Sequence, residues 1–215
     1  MIPDWVEERR EMVERQLRKR GIRDARVLEA MRTIPREEFV PIESRVCSCQ
    51  DGPVPIGYGQ TISQPYMTAL MAELLALKGT ETVLDVGGGS GYHAAVLGAL
   101  AARVISLELI PELAHQAERN LQRTGRAGNV TVICADGSKG WPSEAPYQAI
   151  SVAAGAPEVP APLLEQLDDP GRLVIPVGDA TDQELRVVEK SASHVSYRVA
   201  TFCRFVPLRG DQGWR

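Results

Sequence analysis

Long hydrophobic runs are missing from this chain: no apolar stretch reaches the ~20 residues that a helix needs to cross a bilayer. The charged first ten residues also lack the hydrophobic centre of a signal peptide, so no membrane partner and a cytoplasmic location are expected. An excess of positive charge is missing too. The 24 Lys and Arg against 28 Asp and Glu leave a formal charge of −4, which gives no electrostatic reason to bind nucleic acid. Cysteine is sparse and poorly spaced for cross-linking. Cys47 and Cys49 are close, but no second pair follows at zinc spacing, and Cys134 and Cys203 fall in segments expected to be buried strands. Neither a disulfide framework nor a metal site is expected. The three histidines, His93, His115 and His194, are scattered. His115 lies in a polar helical stretch and should be solvated, whereas His93 adjoins a glycine turn and should either pack or touch a ligand. There are no internal repeats and no low-complexity segments.

What the chain does have is the stretch Val83-Leu84-Asp85-Val86-Gly87-Gly88-Gly89-Ser90-Gly91-Tyr92. It reads as a strand that enters a glycine turn and then a helix. Such a turn makes a cofactor cradle at the carboxyl end of a parallel sheet, because glycine allows sharp turns and close backbone approach. Two cofactors compete for it. Gly89 to Ala94 fits the dinucleotide pattern G-x-G-x-x-A, with Glu108 near the distance expected of a ribose-binding acid. Alternatively, Asp85 with Gly87, Gly89 and Gly91 resembles the first motif of S-adenosylmethionine-dependent methyltransferases. That cofactor carries no phosphate, but its ammonium would favour a nearby carboxylate. A turn without any ligand is the third reading. Two further strands end in acids: Arg103 to Glu108, and Asn129 to Asp136 and Gly137. Glu108 could accept hydrogen bonds from ribose hydroxyls, and Asp136 from the exocyclic amine of adenine.

A chain of 215 residues can form one α/β domain with an extension. Residues 1–45 read as charged helices, with Val6, Val13 and Leu17, then Val27, Leu28 and Met31, at helical spacing. Residues 46–63 are rich in proline and glycine and read as a long, functional loop. From 64 to 178 helix and strand alternate, which predicts a parallel sheet with helices on both faces. The helix after Gln64 should carry Met67, Leu70, Met71, Leu74 and Leu75 on one face, with Ser63 as its cap and Pro65 in its first turn. Residues 179–215 hold two strands without an intervening helix, the mark of an antiparallel edge.

Several motifs together resemble the protein-L-isoaspartate O-methyltransferase family over nearly the whole length. They are Pro-Ile-Gly-Tyr-Gly-Gln-Thr-Ile-Ser-Gln-Pro at 55–65, the glycine motif, Asp136-Gly137, Ala145 to Ile150, Arg172 to Gly178 and Phe205 to Leu208. The resemblance implies a doubly wound, Rossmann-like methyltransferase sheet, mostly parallel with an antiparallel C-terminal edge, plus N-terminal helices. It implies S-adenosyl-L-methionine as cofactor, S-adenosyl-L-homocysteine as product, and isoaspartyl-containing proteins and peptides as partners of a monomer. Ser63 matches the family's active-site serine, expected to orient the attacking carboxylate. Gln60, Thr61 and Ile62 would wall it, and Val206 matches a position whose backbone meets the substrate. Asp85, Gly87, Gly89, Gly91, Glu108, Asp136 and Gly137 would hold the cofactor.

The sequence departs from the family pattern in places. Gly88 replaces a frequent threonine, Ala135 a usual glycine, Asp85 a more usual glutamate and Ala153 a common threonine. Cys47-Ser48-Cys49-Gln50 stands where an alanine-tyrosine pair is typical. The last change leaves open a same-fold carboxyl methyltransferase with another peptide acceptor. A non-catalytic cofactor-binding relative and a nicotinamide-dependent dehydrogenase are the remaining alternatives.

Overall fold

The computed structural model describes residues 3–214. Asp4 starts helix α1 (Trp5–Met12) by accepting from the backbone N–H groups of Val6 and Glu7, and Asp24 caps α2 (Ala25–Thr33) in the same way. Helix α2 buries Val27, Leu28 and Met31, as their spacing predicts. The stripe expected on the first helix is only half correct. Val13 and Leu17 are buried, but Val6 is exposed; Arg9 takes the inner face instead and pairs with buried Glu37.

The segment expected as a loop is partly ordered. It contains a hairpin, β1 (Val54–Gly57) and β2 (Gln60–Ile62). Tyr58 and Gly59 at its tip both have positive φ, 53° and 71°, the backbone that a two-residue primed turn demands. The density of Pro and Gly hides a strand alternation: Val54 and Ile56 point inward, Pro55 and Gly57 outward.

The core follows as α3 (Pro65–Leu74), β3 (Thr82–Val86), α4 (Tyr92–Gly98), β4 (Arg103–Glu108), α5 (Pro111–Arg123), β5 (Val130–Cys134), β6 (Tyr147–Val152), α6 (Ala161–Glu165) and β7 (Leu167–Gly178). Strands β8 (Gln183–Ser191) and β9 (His194–Cys203) complete a seven-stranded sheet in the order β5-β4-β3-β6-β7-β8-β9. The first five pair in parallel and the last two antiparallel. The chain leaves β3 toward β4 and later returns to β6 on the other side, so the turn after β3 lies where the winding reverses, the usual ligand position in such sheets.

Alternate strand residues feed two hydrophobic layers. Val83, Val104 and Val174 join the N-terminal helices, α3 and α4 on one face; Leu84, Ile105, Ile150 and Leu173 pack on the other. Burial on both faces is what a parallel sheet requires. Cys134 is exposed, not buried as expected, because it is the last residue of the edge strand β5. In α3 the small residues Ala69 and Ala72 are buried together with Met71, while Met67, Leu70 and Leu74 are only half-buried. Among the described residues, no helix is long and apolar enough to cross a membrane.

One buried amide fixes the chain beyond β9. Gln183 is 1% exposed; its side chain accepts from the Phe205 N–H at 2.8 Å and donates to the Phe205 and Asp179 carbonyls at 3.3 and 3.1 Å. Gln183→Leu leaves these backbone groups without partners and should cost ~1–3 kcal/mol. In thermal unfolding each kcal/mol should lower Tm by ~2–4 °C, and an unchanged Tm would show that the amide is dispensable.

Candidate active site

The turn after β3 is fastened to β4. The N–H groups of Gly87 and Gly88 donate to the Leu107 carbonyl at 2.9 and 3.0 Å, and the Gly89 N–H donates to Glu108 Oε2 at 2.8 Å. Gly87, Gly89 and Gly91 all have positive φ (88°, 54° and 86°), a region that side-chain-bearing residues avoid. Gly88 is glycine for a different reason. A Cβ there would meet the Ser106 hydroxyl at 2.5 Å. The space a side chain would need there is taken by this serine from the neighbouring strand, and its hydroxyl donates to Asp85 Oδ2 at 2.8 Å.

Beneath the turn lies a row of buried polar groups. Asp85 aligns with Ser106 on β4 and Ser151 on β6, and all three are fully buried. Asp85 Oδ1 has no partner among the described residues. Burial pushes the Asp85 carboxyl up to about 7, with the Ser106 hydroxyl pulling the other way. His93, the second residue of α4, hydrogen-bonds Ser151 Oγ at 2.8 Å, and burial pulls it down to about 4, so it is neutral at physiological pH.

The turn opens onto a solvent-open cavity whose empty space, open solvent included, is about 610 Å³. Of the residues singled out in the sequence, Gln60, Thr61, Gly87, Gly89, Glu108, Gly137 and Val206 line it. A smaller cavity of about 330 Å³ behind the turn is lined by Ile62, Ser63 and His93, among others. A broad groove of about 1410 Å³ runs outward past Ser63, Tyr66, Phe205 and Val206. Thr61 and Ala153 border all three spaces, and Val206 and Pro207 border the large cavity and the groove.

Three of the residues expected to hold the cofactor stand back from the large cavity. Asp85 lies under the turn. Gly91 is the N-cap just before α4, where a Cβ would press on Ala117 at 3.2 Å. Asp136 holds the C-terminal tail: Oδ1 accepts from the Ser138 N–H and hydroxyl at 3.0 and 2.6 Å, and Oδ2 from the Asp211 N–H at 2.9 Å. Burial acts to raise the Asp136 pKa, but these donors and Lys139 outweigh it and hold the carboxyl below its ordinary value.

Ser63 does not cap α3. Gln64 occupies the cap position without a side-chain bond, and Pro65 begins the helix as expected. The Val206 carbonyl accepts from the Gly155 N–H at 2.8 Å, and its own N–H has no backbone partner among the described residues. The departures at 47–50 fall outside every opening: Cys49 is buried, its carbonyl accepts from Gln16 at 2.7 Å, and none of these residues lines the groove.

Sequence reasoning missed Leu109 and Ile110, which follow Glu108 and line the large cavity, and the tail from Pro207 to Arg209, which forms another wall. Two apolar residues directly after a strand-end acid were a usable signal for the first. The tail had none. Trp214 docks its indole on the Gly155 carbonyl at 2.9 Å, a contact made only through folding.

Comparison with known proteins gives one answer. The family model for protein-L-isoaspartate(D-aspartate) O-methyltransferase matches residues 7–213. A protein-L-isoaspartate O-methyltransferase 2 of Marinobacter nauticus is 56% identical over 213 residues, 98% of this chain and 97% of that one. The enzyme of Hyperthermus butylicus is 49% identical over 99% of this chain and 93% of its own. Among solved structures, a protein-L-isoaspartate O-methyltransferase superposes with a TM-score of 0.82 at 31% identity, covering 95% of this chain and 67% of that one. A Plasmodium falciparum protein described as a putative protein-L-isoaspartate O-methyltransferase, in complex with S-adenosyl-L-homocysteine, gives a TM-score of 0.80 at 28% identity, over 94% of this chain and 98% of its own.

The polar row makes a pH test possible. Asp85 titrates near 7 when folded against ~3.9 unfolded, so the folded state binds the extra proton between about pH 4 and 7 and this group's contribution falls as pH rises. His93 titrates near 4 when folded against ~6.5 unfolded, so here the unfolded state binds the extra proton and stability rises with pH between about 4 and 6.5. The two slopes oppose. Asp85→Asn should expose the histidine slope, with Tm climbing more steeply from pH 4 to 6.5 than in the wild type; parallel curves would contradict the buried-acid assignment.

Proposed function

The chain belongs to the protein-L-isoaspartate(D-aspartate) O-methyltransferase family, and from that premise we infer how its site divides the work of methyl transfer between two openings. The enzyme transfers a methyl group from S-adenosyl-L-methionine to the stray carboxylate of isoaspartyl residues in damaged proteins. The resulting ester closes to a succinimide, and hydrolysis returns part of it to normal aspartate. The observation that carries the division is the shared wall: Thr61, Ala153, Val206 and Pro207 separate the large cavity from the groove and border both.

The large cavity fits the cofactor. It is lined by a glycine turn, a carboxylate and apolar walls, with an orphaned buried carboxylate oxygen of Asp85 beneath the turn. We assign Gly87, Gly89, Glu108 and Gly137 to holding it. The Glu108 oxygens keep lone pairs for ribose hydroxyls beyond the Gly89 and Ile110 N–H groups they already accept from. Asp85, which burial raises to about 7, would supply the negative charge for the amino-acid end once the cofactor's ammonium draws it into its ionised form. When bound, S-adenosyl-L-methionine supplies a sulfonium methyl open to in-line attack by a carboxylate.

The chain's own task is then positioning and exclusion of water. An acceptor carboxylate is already ionised at neutral pH, and no strong base is required. The Ser63 hydroxyl and the Val206 N–H, both on the groove, are donors suited to orient it; Gln60, Thr61 and Ile62 wall the passage. Asp136 acts on the cofactor through the tail that it clasps.

The deciding assay offers labelled S-adenosyl-L-methionine with two peptides that differ only in carrying isoaspartate or aspartate. Base-labile label should appear on the isoaspartyl peptide alone; label on neither, with the cofactor bound, would mean a different acceptor. Ser63→Ala should lower kcat by ~10- to 100-fold while leaving S-adenosyl-L-homocysteine affinity in place, and an unchanged kcat would remove Ser63 from this role. Asp136→Ala should weaken S-adenosyl-L-homocysteine binding by roughly tenfold, ~1.4 kcal/mol, when measured by calorimetry.

A further inference from the structure

Arg36 is 0% exposed, yet it forms no ion pair with a carboxylate among the described residues; its neighbour Glu37 pairs with Arg9 instead. The guanidinium is held by backbone carbonyls. Nε donates to Ser48 and Nη2 to Ser63, each at 2.6 Å. Its plane lies over the Tyr92 ring, 4.8 Å from the centroid. Nη1 is buried without a partner, and burial pulls the pKa of the group down from the ordinary arginine value.

A buried cation without a counter-ion is costly, and apolar side chains of similar volume commonly serve stability as well or better. The three contacts show what the cation gains. Ser48 and Ser63 are the two ends of the segment that carries β1 and β2, so one rigid fork closes that segment. Tyr92 is the first residue of α4, directly after the glycine turn, and lines the small cavity together with Ser63. Arg36 therefore touches the acceptor side through Ser63 and the cofactor side through Tyr92. A planar fork can fix two carbonyls at once over an aromatic face; an ammonium is a point charge and cannot.

We propose that Arg36 is a positioning residue for methyl transfer, a clamp that sets Ser63 at a fixed place relative to the cofactor turn, which rests on the acceptor-side reading of Ser63. Its guanidinium touches no reacting atom. It works by denying the segment 48–63 the freedom to drift, since displacements of about 1 Å are enough to cost ~100-fold in rate.

The test is Arg36→Lys in the full chain, assayed beside Ser63→Ala and the wild type with an isoaspartyl peptide. The lysine variant should lose ~10- to 100-fold in kcat while its S-adenosyl-L-homocysteine affinity by calorimetry stays within about threefold. A second variant, Arg36→Ala, should regain turnover severalfold when millimolar guanidinium is added, with no such gain in the wild type. An unchanged kcat in Arg36→Lys overturns the clamp. So does a parallel fall in kcat and cofactor affinity, or a lysine variant that does not fold, because the residue would then serve stability alone. If Arg36→Ala does not fold, the lysine variant decides. A wild type that ignores the isoaspartyl peptide would instead refute the functional reading, and a fully active Ser63→Ala the role of Ser63.

Discussion

Gly87, Gly88 and Gly89 each give a backbone N–H to the end of the neighbouring strand, the first two to the Leu107 carbonyl and the third to the Glu108 carboxylate. These bonds consume donors that would otherwise be free for an anion. What remains is a shallow wall with a carboxylate at its edge and a second carboxylate buried below. That combination suits a cofactor bearing an ammonium and a ribose. The start of α4 and the small cavity depend on the turn keeping that shape, whereas the row Ser106–Asp85–Ser151 is set by the strand register beneath it. Glu108 is thus both part of the scaffold and part of the wall.

The site is assembled from segments far apart in sequence. The hairpin brings Gln60 and Thr61, the turn after β3 the glycines, the loop after β6 Ala153, and the chain beyond β9 Val206 and Pro207. The antiparallel edge is what makes the last contribution possible. Because β8 and β9 fold back on β7, the chain re-enters at the carboxyl end of the parallel strands, where Gln183 and Gly155 fix Phe205 and Val206. Thr61 and Ala153 border the large cavity, the small cavity and the groove alike, so a substitution at either alters all three spaces.

Much of this was legible in the sequence, for physical reasons. The β3–turn–α4 unit and the strand-end acids are dictated locally: glycine types mark backbone that other residues avoid, and apolar runs mark strands buried on both faces. The antiparallel edge was legible as two strand patterns without a helix between them. The hairpin at 54–62 was hidden because its Pro and Gly residues read as breakers when their alternation was the signal. Arg36 was hidden more deeply. It sits among charged residues, Pro35-Arg36-Glu37-Glu38, where an exposed helix face is the natural reading, and only long-range packing buries it. The grip of Asp136 on the tail spans 75 residues and leaves no trace in local composition.

That grip has a chemical consequence. Asp136 is followed by Gly137, and an aspartate before glycine is prone to ring closure, since no side chain shields the attacking N–H. Closure needs a carboxyl group that can rotate onto that nitrogen and is protonated. Three donors hold the Asp136 carboxylate still, and they favour its ionised form. Asp51, also followed by glycine, is about half exposed and held only by the side chains of Arg20 and Gln64. The protein thus carries the Asp-Gly dipeptide twice, with the carboxylate locked by three donors at 136 and held at 51 only by two side chains that border the groove, so Asp51 is the freer of the two to close its ring.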